Sequence, residues 1–258
     1  MGKSTSTVSR RNEIIDIINS VGQVFVVELS EKFEVSEVTI RNDLEQLEQK
    51  NILMRARGGA IRLEGRVGID YNLSEKDKLN LNQKVKIGKK AAELVKESEI
   101  VLIDSGTTTA ELAKNLTNFK ELTVITNALN IAYLLGTQEN IKLTIPGGFL
   151  RKSSQSLVGP LAEKGLQNFY VDKAFLGVDG LDPELGLYTP NIEEAHLNRL
   201  MIEIANEVIL LCDSTKLRRK SFAHICSLNK INILITDENI LESDRRKIEE
   251  SGVKVIIA

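Results

Sequence analysis

The sequence predicts an α/β protein in two parts: an N-terminal winged helix-turn-helix domain and a C-terminal, mainly parallel α/β domain. Three observations carry this. Residues 8–62 hold three amphipathic helical stretches followed by two short strand patterns around a glycine pair. From residue 83 onward, short and continuously apolar runs alternate with helical patterns, which marks parallel strands covered on both faces. The chain has 258 residues, enough for two domains of roughly 150 residues or fewer.

Each element follows in order. Residues 1–7 are small and polar and read as a frayed tail. Over 8–20, Ile14, Ile15, Ile17 and Ile18 recur among charges, giving a helix that Gly22 stops. Val26, Leu29 and Phe33 have helical spacing and predict a second, short helix. Ser36 is placed to cap a third helix over about 37–49, where Ile40, Leu44 and Leu47 lie one turn apart. The helix-turn-helix itself spans 24–43. Ile52–Arg57 and Ala60–Arg62 flank Gly58-Gly59 and read as a two-stranded wing. Residues 63–82 contain Gly65, Gly68, Asn72, Asn80 and Asn82 with mixed charges and no clear period, and read as a linker. The second domain then occupies 83–258. Its helices are expected near 84–97, 109–117, 128–136, 192–206 and 240–251. Its strands are expected at Ile100–Ile103, Leu122–Thr126, Ile141–Ile145, Ala174–Val178, Val208–Cys212, Ile231–Thr236 and Val253–Ile257.

Composition removes several function classes. Lys and Arg number 34 against 36 Asp and Glu, so the net charge of −2 excludes a protein that coats nucleic acid by bulk charge. A locally basic site remains open. With no Trp, seven Phe and four Tyr, the core is aliphatic. No apolar run approaches the ~20 residues of a membrane span, and the opening residues lack the apolar stretch of a signal peptide. Two cysteines, Cys212 and Cys226, make no disulfide framework. A cytoplasmic protein with no membrane contact is expected. His224 and Cys226 stand two apart, but His196 and Cys212 lack matching spacing, so no metal or other cofactor is expected.

The third helix carries chemistry on one face. At ~100° per residue, Ile40, Leu44 and Leu47 fall together, opposite Val38, Asn42 and Gln49 and flanked by Thr39, Arg41 and Gln46. Arg pairs with guanine, Asn or Gln with adenine, and an apolar group meets the thymine methyl. The start of such a helix enters the major groove, which favours Ser36, Glu37, Val38, Thr39, Arg41 and Asn42 as DNA contacts. Arg55, Arg57 and Arg62 on the wing suit phosphates, which position without specifying. The same pattern fits a small three-helix domain with an ordinary polar face. Residues 1–66 hold ten basic and ten acidic side chains, so charge does not separate the two.

Glu28-Leu29, then Phe33 to Leu44, then Arg55-Ala56-Arg57-Gly58-Gly59-Ala60, resemble the DNA-binding domain of the DeoR family of bacterial transcriptional regulators. The chain departs at Asn42, where many members have a second arginine. The Arg41-Asn42-Asp43 form is similar to the branch that represses N-acetylgalactosamine use. The resemblance implies double-stranded operator DNA as a partner.

In the second domain, Asp104-Ser105-Gly106-Thr107-Thr108-Thr109 joins a strand to a helix, the layout of an anion site built on helical N–H groups and hydroxyls. Other strand ends carry Thr126-Asn127, Gly147-Gly148 with Arg151 behind, Gly177-Val178-Asp179-Gly180 and Asp213-Ser214-Thr215-Lys216. Ligands in parallel sheets bind outside the carboxyl ends of strands, so these loops are candidates for one crevice, although each also reads as a turn or cap. The same segments, with Glu194-Ala195 and Leu197-Asn198-Arg199, resemble the DeoR sensor domain, similar in fold to ribose-5-phosphate isomerase and glucosamine-6-phosphate deaminase. Lys216-Leu217 stands where the family has Lys-Phe. The resemblance implies a phosphorylated sugar, its phosphate on Ser105 to Thr109, with Lys216 as a second cation and Asp179 accepting a sugar hydroxyl. Asp104, Asn127, Gly148 and Arg151 complete the expected ligand set. It also implies a homo-oligomer, dimer or tetramer, on paired half-sites. The rival is an isomerase or deaminase with Asp179, Glu193 or Glu194 as base and a fused DNA-binding domain. A readout helix and wing have no place in such an enzyme, so no catalytic residue is expected.

Overall fold

A computed structural model describes residues 7–49, 52–56, 58–62 and 72–258. The chain divides into two compact units, Met1–Ile69 and Asp70–Ala258.

The N-terminal unit opens with α1 (Thr7–Val21), then β1 (Gln23–Phe25), which runs straight into α2 (Val26–Phe33). Glu34 takes a left-handed conformation, φ 52° and ψ 41°, and ends α2. The Val35 amide donates to Ser30 O at 3.2 Å, and the Ser30 hydroxyl donates to Val35 O at 2.8 Å. These bonds turn the chain into α3 (Glu37–Gln49). Ser36 caps α3, its hydroxyl accepting from the Thr39 amide at 3.2 Å. The wing strands are β2 (Leu53–Ala56) and β3 (Gly59–Arg62), and β1 adds to β3 to give the antiparallel order β1-β3-β2. Three residues are too few to show a strand period, so β1 was not legible in the sequence. A Cβ at Gly59 would stand 2.0 Å from Val24 O, so glycine alone lets β1 and β3 pair.

Ile14, Ile18, Val24, Val26, Leu29, Ile40, Leu44, Leu47, Leu53 and Ala60 form the core of this unit, with Ile15 and Ile17 partly buried at its margin. One acid lies within it. Asp43 is 1% exposed and accepts from Arg10 Nε at 2.6 Å and Arg11 Nε at 2.7 Å. Two guanidiniums of α1 therefore hold α3 in place.

The C-terminal unit starts with α4 (Leu73–Lys78) and α5 (Leu81–Ala92). This corrects the reading of 63–82 as a linker. Residues 63–71 lie outside the described residues, but 72–82 carry one helix and the start of another. Asn72 builds a reciprocal capping box with Glu75, which the asparagines disguised as loop composition. Then follow β4 (Ile100–Ile103), α6 (Thr107–Lys114), β5 (Leu122–Thr126), α7 (Leu129–Leu135) and β6 (Ile141–Thr144). A hairpin of β7 (Phe149–Arg151) and β8 (Ser156–Val158) leads to α8 (Pro160–Leu166). Next come β9 (Val171–Gly177), β10 (Gly180–Asp182), β11 (Gly186–Thr189), α9 (Ile192–Glu203), β12 (Ala205–Leu211) and β13 (Ala223–His224). The chain ends with β14 (Ile233–Thr236), α10 (Glu242–Glu250) and β15 (Lys254–Ile257). The expected strands are all present. The hairpin, α8 and the small sheet β10-β11-β13 were not expected, because their segments are too short to show a period.

Among the described residues, the main sheet is parallel, in the order β15-β14-β12-β9-β4-β5-β6. Alternate residues feed two cores. Leu102, Ala174, Leu176, Val208 and Leu210 pack under α8, α9 and α10. Val101, Ile103, Phe175, Ile209 and Leu211 pack under α5, α6 and α7. The chain builds outward from β4 to β6, then returns to β9 beside β4 and builds the other way. The switch point therefore lies between β4 and β9, where the carboxyl ends of parallel strands leave room for a ligand.

Asp43→Ala would strand two arginines, one of them buried. Amide exchange in α1 and α3 of the full chain should accelerate about a hundredfold or more, matching the ~3 kcal/mol cost of a broken buried pair, while β9 and β12 keep their protection. Unchanged exchange in α3 would show that the apolar contacts suffice.

Candidate functional site

Two constellations stand out, one in each unit. On α3, Ile40, Leu44 and Leu47 are buried as the wheel predicts, and Val38 is 61% exposed opposite them. Arg41 and Asn42 are exposed. Arg41 Nη2 pairs with Glu37 Oε2 at 2.5 Å along the helix surface, an exposed i,i+4 contact worth ~0.3–0.5 kcal/mol and easily exchanged. The Thr39 hydroxyl lies 2.9 Å from that of Ser36, so both belong to the cap as well as to the exposed start of the helix. Gln46 donates to Gln49 at 3.1 Å. Arg55 is more constrained than a wing arginine reaching outward. Its amide donates to Glu48 Oε1 at 2.8 Å, and its Nη1 donates to Arg41 O at 3.0 Å, tying the wing to α3. Its buried Nε has no hydrogen-bond partner. Arg57 lies outside the described residues, and nothing is described of the Arg62 side chain.

In the C-terminal unit, the loop after β4 stands at the switch point. The Asp104 amide donates to Phe175 O at 3.0 Å, fastening this loop to β9. Ser105 donates to Asp104 Oδ1 at 3.4 Å. Gly106 precedes α6 without a capping side chain, and Thr107, Thr108 and Thr109 make the buried first turn. Their amides face the loop with no intrahelical acceptor, which leaves a positive helix end for an anion. Thr109 spends its hydroxyl on Gly106 O at 3.1 Å.

The acids of this edge are held in different ways. Asp104 is 4% exposed, and burial, with Glu194 nearby, pushes its carboxyl up to about 7. Glu194 opens α9 and accepts from Arg151 Nη1 at 3.0 Å, Thr189 Oγ1 at 3.0 Å and Ser156 Oγ at 3.4 Å. Burial would raise Asp179, but Lys76 and Lys216 outweigh it and hold the carboxyl below the usual carboxylate range. Lys76 Nζ stands 2.6 Å from Asp179 Oδ1 and Lys216 Nζ 3.9 Å. Asp213 accepts from the Thr215 amide at 3.1 Å and from Asn80 Nδ2 at 3.1 Å. Lys84, 3% exposed, is lowered to about 8 by burial, which Asp213 partly offsets; it donates to Lys76 O.

Ser105 to Thr109, Arg151, Asp179 and Lys216 are thus gathered at one end of the sheet. Asn127 and Gly148 serve the scaffold. Asn127 takes the Leu157 amide on its carbonyl at 2.8 Å and fastens β5 to the hairpin, though its buried Oδ1 has no partner. Gly148 has φ +123°, and a Cβ there would stand 2.8 Å from Val158 O. Sequence reading missed Lys76 and Lys84, because both lie in segments whose place beside the site depends on the fold. His224 and Cys226 are separate from all of this: His224 Nε2 meets Leu185 O at 3.1 Å and packs edge-on against Tyr188.

Asp104 makes a pH-dependence testable. Its folded value, about 7, exceeds the ordinary carboxylate value, so the folded state binds the extra proton and loses stability as pH rises from about 4 through about 7. Asp104→Asn should remove that slope, so its melting temperature relative to wild type rises across this range. Parallel melting curves of the two proteins from pH 4 to 8 would show that Asp104 is not so perturbed.

Residues 10–66 match the DeoR-like helix-turn-helix domain, and residues 79–238 match the DeoR C terminal sensor domain. A relative from Escherichia coli O157:H7, named for repression of the aga operon, is 39% identical over 254 residues, covering 98% of this chain and 94% of its own. The HTH-type transcriptional regulator GlpR of Haloferax volcanii is 37% identical over 248 residues, covering 96% of each chain. Among solved structures, ribose 5-phosphate isomerase A of Methanocaldococcus jannaschii is similar over 54% of this chain and 55% of that one, with 23% identity and a TM-score of 0.40. A helix-turn-helix match over 10–66 followed by a sensor match over 79–238, with a relative 39% identical along 98% of the chain, places the chain in the DeoR family.

Proposed function

We propose that this DeoR-family chain is a transcriptional repressor of a sugar or amino-sugar operon, released from its operator by a phosphorylated sugar. The observation that carries the effector is the first turn of α6, with Thr107 and Thr108 buried and no side-chain cap at Gly106, and with Lys216 at the same edge of the sheet, in the loop after β12. N–H groups, hydroxyls and an ammonium suit a dianion, whereas a neutral sugar would leave them unmatched. Ser105 to Thr109 then take the phosphate, and Asp179 accepts a sugar hydroxyl. Arg151 acts through Glu194, which it fastens beside Asp104. An amino-hexose 6-phosphate is the favoured effector. Its support is Asn42 in the readout helix and the relative named for aga repression.

DNA is read by α3, through Val38, Thr39, Arg41 and Asn42 in the major groove, with Glu37 as the resting partner of Arg41. Arg55 positions the wing against α3, and Arg57 contacts phosphate. The protein works in the cytoplasm as a homo-oligomer, because paired half-sites about one DNA turn apart require two reading units. It performs no turnover. The support for this is the readout helix and wing, which have no place in a sugar-phosphate isomerase.

Arg41→Ala should weaken operator binding by about 1–3 kcal/mol and relax base preference in gel-shift titrations. Equal affinity for all base variants in both proteins would remove Arg41 from the readout. For the effector, calorimetric titration of the wild type with galactosamine 6-phosphate, N-acetylgalactosamine 6-phosphate and their unphosphorylated sugars is decisive. The phosphorylated forms should bind at least tenfold more tightly. Replacing Thr107 and Thr108 by valine keeps shape but removes two donors, and should weaken the phosphosugar by tenfold or more while operator binding persists. Equal affinity for free and phosphorylated sugars would overturn the phosphate assignment.

A further inference from the structure

The helix α4 is attached to its unit in an unusual way. It buries none of its side chains. The holds of α4, and of Asn80 just beyond it, are polar, and together they reach three loops at the carboxyl edge of the sheet. The Leu73 amide donates to Ser153 O at 2.7 Å, in the turn between β7 and β8. Lys76 Nζ donates to Asp179 Oδ1 at 2.6 Å, in the loop after β9. Asn80, the residue that precedes α5, donates its Nδ2 to Asp213 Oδ1 and Thr215 Oγ1, both at 3.1 Å, in the loop after β12. The loops after β9 and β12 carry Asp179 and Lys216, which the effector reading uses. In chain order, α4 is also the first described element after the wing, which ends at Arg62.

We infer that Lys76 belongs to the effector site and that α4 is a strap whose seating couples effector occupancy to operator binding. This rests on the effector reading above. Asp179 cannot give its full strength to Lys76 and to a sugar hydroxyl at once, and a nearby phosphate draws the Lys76 ammonium toward itself. The Lys76–Asp179 pair is largely buried, its side chains 19% and 13% exposed, so the effector must supply contacts that replace it: phosphate for the ammonium and a sugar hydroxyl for the carboxylate, which Lys216 still flanks. Occupancy then exchanges the pair for ligand contacts. An element with no apolar anchor is loosened or re-seated when its polar holds change. Because pair and effector compete for one carboxylate, the effector favours the strap without that pair. A repressor released by its effector therefore needs the pair intact to hold its operator. The coupling can be no larger than the effector's difference in affinity for the two arrangements.

The test compares full-length wild type, Lys76→Met and Lys76→Arg. Lys76→Met leaves Asp179 with Lys216 alone and should lower the melting temperature, so Lys76→Arg, which keeps the charge, is the control for stability. Without added sugar, deuterium exchange of residues 73–80 should be at least tenfold faster in Lys76→Met. Its affinity for a duplex selected by the wild type from a random library, read by fluorescence anisotropy, should fall at least fivefold. Lys76→Arg keeps the charge and should stay within twofold of wild type on both readouts. In calorimetric titration, galactosamine 6-phosphate should bind Lys76→Met at least tenfold more weakly than wild type. Wild-type duplex affinity in Lys76→Met, or unchanged exchange over 73–80, would overturn the strap. Failure of the wild type to bind any phosphorylated sugar would overturn the effector reading instead, and it appears only in the titration, so the two failures are separable.

Discussion

The carboxyl edge of the main sheet gathers acids that cannot be left unmatched, and the arrangement of the surrounding loops depends on how each is satisfied. A buried carboxylate without a partner is costly, so it is paired, hydrogen-bonded or protonated. All the routes are used here. Asp104 is pushed up to about 7 by burial and so keeps its proton far above the pH at which an ordinary carboxyl loses it. Asp179 is kept ionised by Lys76 and Lys216. Glu194 collects Arg151, Thr189 and Ser156. Asp213 takes a backbone amide and Asn80. These partners come from α4, β7, β8, β11 and the turns that follow β12, so satisfying the acids draws distant segments to one place.

The same logic orders the N-terminal unit on a smaller scale. Asp43 lies on the inner side of α3 beside Ile40, Leu44 and Leu47, and its two arginines come from α1. An inward acid paired from within leaves the outward face free. That face keeps only a weak internal contact, Arg41 with Glu37, which a better partner can displace. Rigidity inside and loosely held polar groups outside are what a surface that reads a partner requires.

Separation of core from edge makes this possible in the larger unit. Both faces of the sheet are filled by aliphatic side chains, with Phe175 as the large aromatic member. The acids and hydroxyls of the candidate site stand at strand ends, where the parallel geometry exposes loops and helix N-termini together. Polar changes at this edge can therefore be made without opening the core. α4 is the extreme case, since it is seated on the edge and contributes nothing to either core.

Much was legible in the chain itself. Helical spacing of Ile40, Leu44 and Leu47 set the buried face of α3, and Ser36 marked its start. Continuous apolar runs announced the parallel strands, and hydroxyl-rich loops behind them marked a candidate anion site. Each of these is a local pattern, written within a few residues of where it acts. What remained hidden depends on segments far apart in sequence. Asn72, Asn80 and Asn82 look like linker composition until Asn72 caps α4 and Asn80 reaches Asp213. Lys76 looks like an ordinary surface lysine until folding brings it to Asp179, 103 residues away. Periodicity is a property of the local chain and can be read along it. The partner of a buried charge is chosen by the strand order of the whole sheet, so only the tertiary structure decides it.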